Sequence, residues 1–141
     1  MVALVIDTNV LVGACLRAEG PSRAVIKRCL AGAYQPLIGT ALFLEYEDVM
    51  SRETLFAGSP LSKTDRNEVF AGFLAVCRWT EVYFAWRPNL PDEADNHLFE
   101  LAVAGGADAV ITRNVRDLAG GELRFPRIRV LTPEQCLERF P

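Results

Sequence analysis

The chain has 141 residues, half of them hydrophobic and 23% charged, with a net charge of −3. That is the size and composition of one globular domain able to fold without disulfide or metal staples, and it excludes an intrinsically disordered chain. A pI near 5.2 gives no electrostatic reason of its own to expect nucleic acid, although a divalent cation held by carboxylates would invert that local logic.

The apolar run Val2–Ile6 stops at Asp7-Thr8-Asn9. Such a run reads as a strand buried on both faces at the centre of a parallel sheet, with Asp7 at the carboxyl end where open α/β sheets place their sites. No basic segment precedes it, so no signal peptide is expected, and no other run has the length of a membrane-spanning helix. A helical turn is expected over Val10–Cys15. Pro21 then suits the first position of a helix that carries Ala24, Val25, Cys29 and Leu30 at helical spacing before Gly32. Gln35–Ile38 is a short second strand, and Thr40 is expected to cap a helix running to about Arg52. A loop with Gly58 and Pro60 leads to a helix over about Thr64–Trp79, striped by Val69, Phe70, Phe73, Leu74 and Cys77. Thr80–Phe84 is the expected third strand.

Pro88–Pro91 is a loop, and Asp92 opens a helix to about Ala104 that Gly105-Gly106 stops. Asp108–Thr112 reads as the fourth strand and, beyond a Gly-rich loop, Ile128–Leu131 as the fifth. Thr132-Pro133-Glu134 starts a last helix with an N-cap and a proline at its first position. Strands alternating with helices argue for a parallel sheet with right-handed crossovers. Cys15, Cys29, Cys77 and Cys136 form no C-x-x-C pair and read as reduced, mostly core-facing thiols of a cytoplasmic protein. Basic residues cluster at Arg17, Arg23, Lys27 and Arg28, and again at Arg113, Arg116, Arg124, Arg127 and Arg129. Their plain reading is a solvated surface.

Several carboxylates fall where chemistry is placed. Asp7 either caps the following helical turn or holds a ligand at the strand end, and three polar residues after an all-apolar strand favour the ligand. Glu45 falls within the stripe of Ala41, Leu42, Tyr46 and Val49, whereas Glu47 points away. A core-facing glutamate needs a metal or a partner, and the one basic residue nearby in sequence is Arg52. Asp92 reads as a helix cap, while Asp95 projects from the first turn toward the crevice. His97, the only histidine, reads as a surface or helix-edge residue. Thr112-Arg113-Asn114-Val115-Arg116-Asp117 follows the fourth strand, so Thr112, Asn114 and Asp117 face the same crevice as Asp7, with Asp117 also readable as a turn residue. Such a set of hard oxygens suits Mg²⁺ or Mn²⁺. Zinc ligation, a Ser-His-Asp triad and a P-loop all lack their residues. An acidic, histidine-poor metal site suits phosphodiester hydrolysis.

These segments together resemble a PIN domain: Val-Ile-Asp7-Thr8-Asn9-Val-Leu-Val, Leu-Glu45-Tyr46-Glu47-Asp-Val-Met, Asp92-Glu-Ala-Asp95-Asn96-His-Leu-Phe-Glu-Leu-Ala and Ala-Asp108-Ala-Val-Ile-Thr112-Arg113-Asn114-Val-Arg-Asp117-Leu. The order and spacing match along essentially the whole chain, most closely in the group of prokaryotic toxin–antitoxin toxins related to VapC. The resemblance implies one PIN domain over residues 1–141, a three-layer α/β/α fold whose five-stranded parallel sheet is ordered 3-2-1-4-5. It implies cleavage of single-stranded RNA by a Mg²⁺- or Mn²⁺-dependent endoribonuclease, leaving a 5′-phosphate and a 3′-hydroxyl. Asp7, Glu45 and Asp95 match the family's three most regular acidic ligands. The fourth departs: Asn114 stands where many members carry an acid, so either Asp117 supplies the charge or the second metal site is weak. Asp7, Glu45, Asp95 and Asp117 are then the catalytic set, with Asn114 as an additional ligand. Thr8, Asn9, Thr112, Arg113 and Arg116 would contact RNA, the arginines on backbone phosphates. A small antitoxin, a homodimer and no membrane association complete the implied picture. Two rival readings stand beside it. A haloacid dehalogenase-type phosphatase needs an acid two positions after Asp7, where Asn9 stands. A non-catalytic PIN-like module binding RNA or protein draws its support from Asn114.

Overall fold

The computed structural model describes residues 1–82, 93–118 and 127–141, and for residues 93–96 the backbone only. Five parallel strands form one sheet: β1 (Val2–Ile6), β2 (Tyr34–Ile38), β3 (Arg78–Trp79), β4 (Ala109–Ile111) and β5 (Arg129–Leu131), in the order β3-β2-β1-β4-β5. Leu4, Val5 and Ile6 are wholly buried, because β1 lies between β2 and β4 with helices over both faces, as its unbroken apolar sequence requires. The helices are α1 (Thr8–Leu16), α2 (Pro21–Leu30), α3 (Thr40–Met50), α4 (Lys63–Val76), α5 (Glu93–Gly105) and α6 (Pro133–Arg139), with a 3-10 turn at Glu53–Phe56.

Adjacent side chains of a strand point to opposite faces, and β2 shows what each face carries. Tyr34 meets α2 and α6: its hydroxyl donates to the Phe140 carbonyl and accepts from Arg28. Leu37, on the other face, lies under the C-terminal end of α5, so close that a Cβ at Gly105 would overlap its side chain. The result is three layers, α/β/α. Gly106 (φ +67°) terminates α5, with Ala107 N–H donating to Ala102 O and Gly106 N–H to Val103 O; these are the paired bonds of a Schellman stop, and the positive φ explains the glycine.

Pro36 is an unusual occupant of an interior strand, since it offers no N–H to a ladder. Here β3 pairs only with Leu37 and Ile38. Alongside Pro36, the Gln35 amide donates to the Pro36 and Val76 carbonyls, joining the strand to the end of α4.

Four expectations are corrected. Thr40 does not cap α3: Gly39 does, without a side-chain bond, its extended backbone lying against the Thr80 carbonyl, so that a Cβ there would come within 3.1 Å of that oxygen. The helix expected to reach Trp79 ends at Val76, because Cys77 turns extended and hands Arg78 and Trp79 to the sheet. The third strand therefore lies at 78–79, not at Thr80–Phe84. Both strand residues are exposed, which left no alternation to read; Thr80 N–H still donates to Ile38 O, and residues 83–84 lie outside the described ones. The first helix also begins earlier than Val10, at Thr8, with Asp7 as its N-cap. The last helix conforms to expectation, with Thr132 and Gln135 forming a reciprocal capping box. All four cysteines are free, three of them buried. Asp92, the Pro88–Pro91 loop and Arg124 lie outside the described residues.

Candidate functional site

Strand β1 fixes Asp7 from both sides: its backbone N–H donates to Ile111 O of β4, and its carbonyl accepts from Val10 as α1 begins. The carboxylate then gathers three neighbours. Thr112 Oγ1 donates to Oδ2 at 2.8 Å, Asn9 Nδ2 reaches the same oxygen at 3.3 Å, and Thr8 N–H donates to Oδ1 at 2.8 Å. Thr112 is fully buried and its Oγ1 accepts from Asn114 N–H and Asn9 Nδ2, so the threonine is saturated and its rotor is set. Asp7 therefore both caps α1 and stands at the sheet's carboxyl edge. The two readings of the sequence are compatible.

Glu45 reaches the same place from α3. Thr8 Oγ1 donates to its Oε1 at 2.9 Å while lying 3.4 Å from Asp7 Oδ1; a hydroxyl has one proton, and the shorter bond takes it. The second oxygen, Oε2, is bonded to His97 Nε2 of α5 at 2.8 Å. The partner of Glu45 is thus His97, and Arg52 pairs instead with Asp48, one turn before it on its own helix. Of the two readings of His97, helix edge holds and surface does not: its side chain is 19% exposed, against 37% for Glu45. The sequence carries a signal for this pairing. His97 flanks the Leu98, Leu101 and Ala102 stripe of α5 and Glu45 falls within that of α3, and two polar residues on facing apolar stripes seek one another.

Burial is the main force raising the Asp7 pKa; the Thr112 hydrogen bond opposes it and the nearby Glu45 charge adds to it. Glu45 moves the other way, lowered chiefly by the His97 hydrogen bond against a smaller desolvation effect.

The remaining expected site residues are spread about this pair. Asp95 lies on α5, its side chain outside the described residues. Asn114, Arg116 and Asp117 are exposed beyond β4, where a helical segment begins at 115 and Asp117 N–H donates to Asn114 O. Arg113 is held on three sides: its backbone N–H donates to Asn9 Oδ1, its Nε to Ser22 and its Nη1 to Glu134. Gly13 makes room for this, since a Cβ there would come within 3.0 Å of Ser22 Oγ. A cleft of about 430 Å³ opens beside Thr8, Asn9 and Arg113 and is walled by residues such as Val12, Leu16, Val49 and Leu55.

Among the described residues no three His, Cys, Asp or Glu side chains converge as a metal set, which leaves Asp7 and Glu45 as the core of any such site. Their chemistry fits a hard divalent cation. Both groups offer hard carboxylate oxygens, the Glu45 charge adds to the electrostatic cost of ionising Asp7, and among the described residues no Lys or Arg side chain bonds either one.

The sequence model of the PIN domain family matches residues 3–116. The chain belongs to the PIN domain family. PIN domains are generally nucleases, and the match runs from β1 through Asp7, Glu45 and Thr112 to the turn after β4. The solved structure of VapBC2 from Rickettsia felis, bound to a DNA fragment from their promoter, is similar in fold to this PIN domain. The TM-score is 0.58 over 92% of this chain and 98% of that one, at 14% identity. No curated protein matches the sequence. Among the described residues no helix is long and apolar enough to cross a membrane.

Proposed function

We propose that this PIN domain, over residues 1–141, is a Mg²⁺- or Mn²⁺-dependent endoribonuclease acting on single-stranded RNA in the cytoplasm, and the toxin of a toxin–antitoxin pair. The observation that carries the proposal is the approach of two carboxylates from separate elements, Asp7 at the end of β1 and Glu45 on α3, to either side of one threonine hydroxyl. Asp7 and Glu45 would hold the cation with Asp95, and Asp117 or Asn114 would complete the set. A divalent cation supplies, when bound, charge neutralisation for the phosphodiester and acidification of water. The chain's own residues supply the rest. Thr112 and Asn9 keep the Asp7 carboxylate in one orientation. Thr8 does the same for Glu45, and their preset geometry avoids an ordering cost on substrate binding. Arg113, fixed by its partners, and the exposed Arg116 would offer positive charge to RNA phosphates, positioning the strand without reading its bases.

The likeness of fold to VapBC2 supports the assignment to a toxin with a small antitoxin partner, and we extend it to a homodimer. The test is cleavage of a 5′-labelled single-stranded RNA in Mn²⁺, with EDTA and with Asp7→Asn and Asp95→Asn. Cleavage in Mn²⁺ that is lost under all three changes supports the proposal, and cleavage that survives both substitutions overturns it. The exposed, uncharged Asn114 favours a second reading, a catalytically weak module that binds RNA or protein. Binding of the same RNA without cleavage would select it.

A further inference from the structure

His97 is a costly residue for its position. Its side chain is mostly buried, and its Nδ1 is a buried atom with no hydrogen-bond partner among the described residues. A buried polar atom left unpaired destabilises a fold, and a leucine at this point on the α5 stripe would avoid that penalty altogether. Packing therefore does not account for the imidazole, whereas the other nitrogen does. Nε2 lies 2.8 Å from Glu45 Oε2, and a carboxylate in this pair is an acceptor only, so Nε2 carries a proton and donates.

The consequence falls on Glu45. With Thr8 on Oε1 and His97 on Oε2, both oxygens are held from different elements, α1 and α5. A glutamate free on a helix samples several rotamers, and fixing it removes that entropy before a ligand arrives. We propose that His97 is a positioning residue of the carboxylate centre: its Nε2–H orients Glu45 toward Asp7 and so presets the cation-binding side of the site. This deepens the nuclease reading and rests on it. His97 touches neither substrate nor cation; it acts through Glu45, as outer hydrogen-bond partners orient metal ligands generally.

Three variants separate positioning from packing. His97→Leu fills the volume without a donor, His97→Gln returns an amide N–H at about the place of Nε2, and Glu45→Gln removes the group acted upon. Mn²⁺ affinity is measured by titration calorimetry, RNA cleavage by kcat and KM, and folding by thermal melting in EDTA. For His97→Leu the expected result is a melting temperature no lower than that of the parent, with Mn²⁺ affinity and kcat each down about 10- to 100-fold and KM for RNA little changed. His97→Gln recovers most of both losses, and His97→Leu adds little in the Glu45→Gln background. In ¹⁵N NMR of the metal-free protein Nε2 of the imidazole carries a proton. Parent-like Mn²⁺ affinity in His97→Leu overturns the positioning role while leaving the nuclease reading intact, as does a His97→Gln variant no better than His97→Leu. A parent protein that neither binds Mn²⁺ nor cleaves RNA overturns the nuclease reading itself, and this proposal with it.

Discussion

Replacing Asp7 by Asn should stabilise the metal-free protein while abolishing its response to metal. Thr8 Oγ1 lies 3.4 Å from Asp7 and 2.9 Å from Glu45, so the two charges sit within about 6 Å, where an effective dielectric near 20 gives a repulsion of about 3 kcal/mol. Glu45 is 37% exposed and hydrogen-bonded to His97, and solvent screening reduces the net effect to about 1 kcal/mol. Asn is isosteric and retains the acceptor for Thr8 N–H, so the cap on α1 survives, while the Thr112 and Asn9 donors that met Oδ2 must re-pair around the amide and take back part of that gain. The pH dependence follows from the raised Asp7 pKa. A carboxyl whose pKa is raised by folding contributes stability while protonated and loses it as pH climbs through the folded value. Asp7→Asn should therefore melt up to about 3 °C higher at pH 7 in EDTA, with the advantage shrinking as the pH falls toward 4 and Asp7 protonates. Added Mn²⁺ should raise the melting temperature of the parent and leave that of the variant unmoved. A variant that melts several degrees below the parent at pH 7 in EDTA would show that Asp7 is chiefly a structural cap, and the reasoning would fail.

Two further substitutions and one titration probe the frame around the site. Gly105→Ala should cost about 1–2 kcal/mol in urea unfolding, since its methyl would overlap Leu37. Gly72→Ala, whose methyl meets Leu30 at an ordinary 3.5 Å, should instead gain about 0.5–1 kcal/mol of helix propensity; equal signs for the two would contradict the packing described. Burial pushes Cys29 and Cys77 up to about 12 and Cys136 to about 11, from an ordinary 9.0. Disulfide-reagent labelling of the native protein at pH 8 should accordingly be slow at these three thiols and complete in guanidinium. The unfolded chain ionises first, so stability should decline as pH rises above about 9, and rapid native labelling of all four thiols would refute the burial.

Much of this was legible in the order of residues alone. An unbroken apolar run followed by Asp7 determined a central buried strand with a carboxylate at its end, and Thr132-Pro133 determined a helix start; both depend on neighbours in sequence. The helical period likewise placed Glu45 on the inner side of α3. Partner choice was not legible, because it depends on distances between elements. Arg52 was the nearest cation to Glu45 along the chain, yet it faces solvent with Asp48, and the true partner, His97, lies 52 residues away on another helix. The same holds for β3, an exposed pair of residues that becomes a strand only because β2 offers it an edge, and for Arg113, whose guanidinium is claimed by Ser22 and Glu134. Sequence alone determined which groups must stand at the sheet's carboxyl edge, since strand burial and helix caps are local. Only the tertiary structure decided how they are held, since hydrogen bonds act within about 3 Å and sequence separation does not measure that distance.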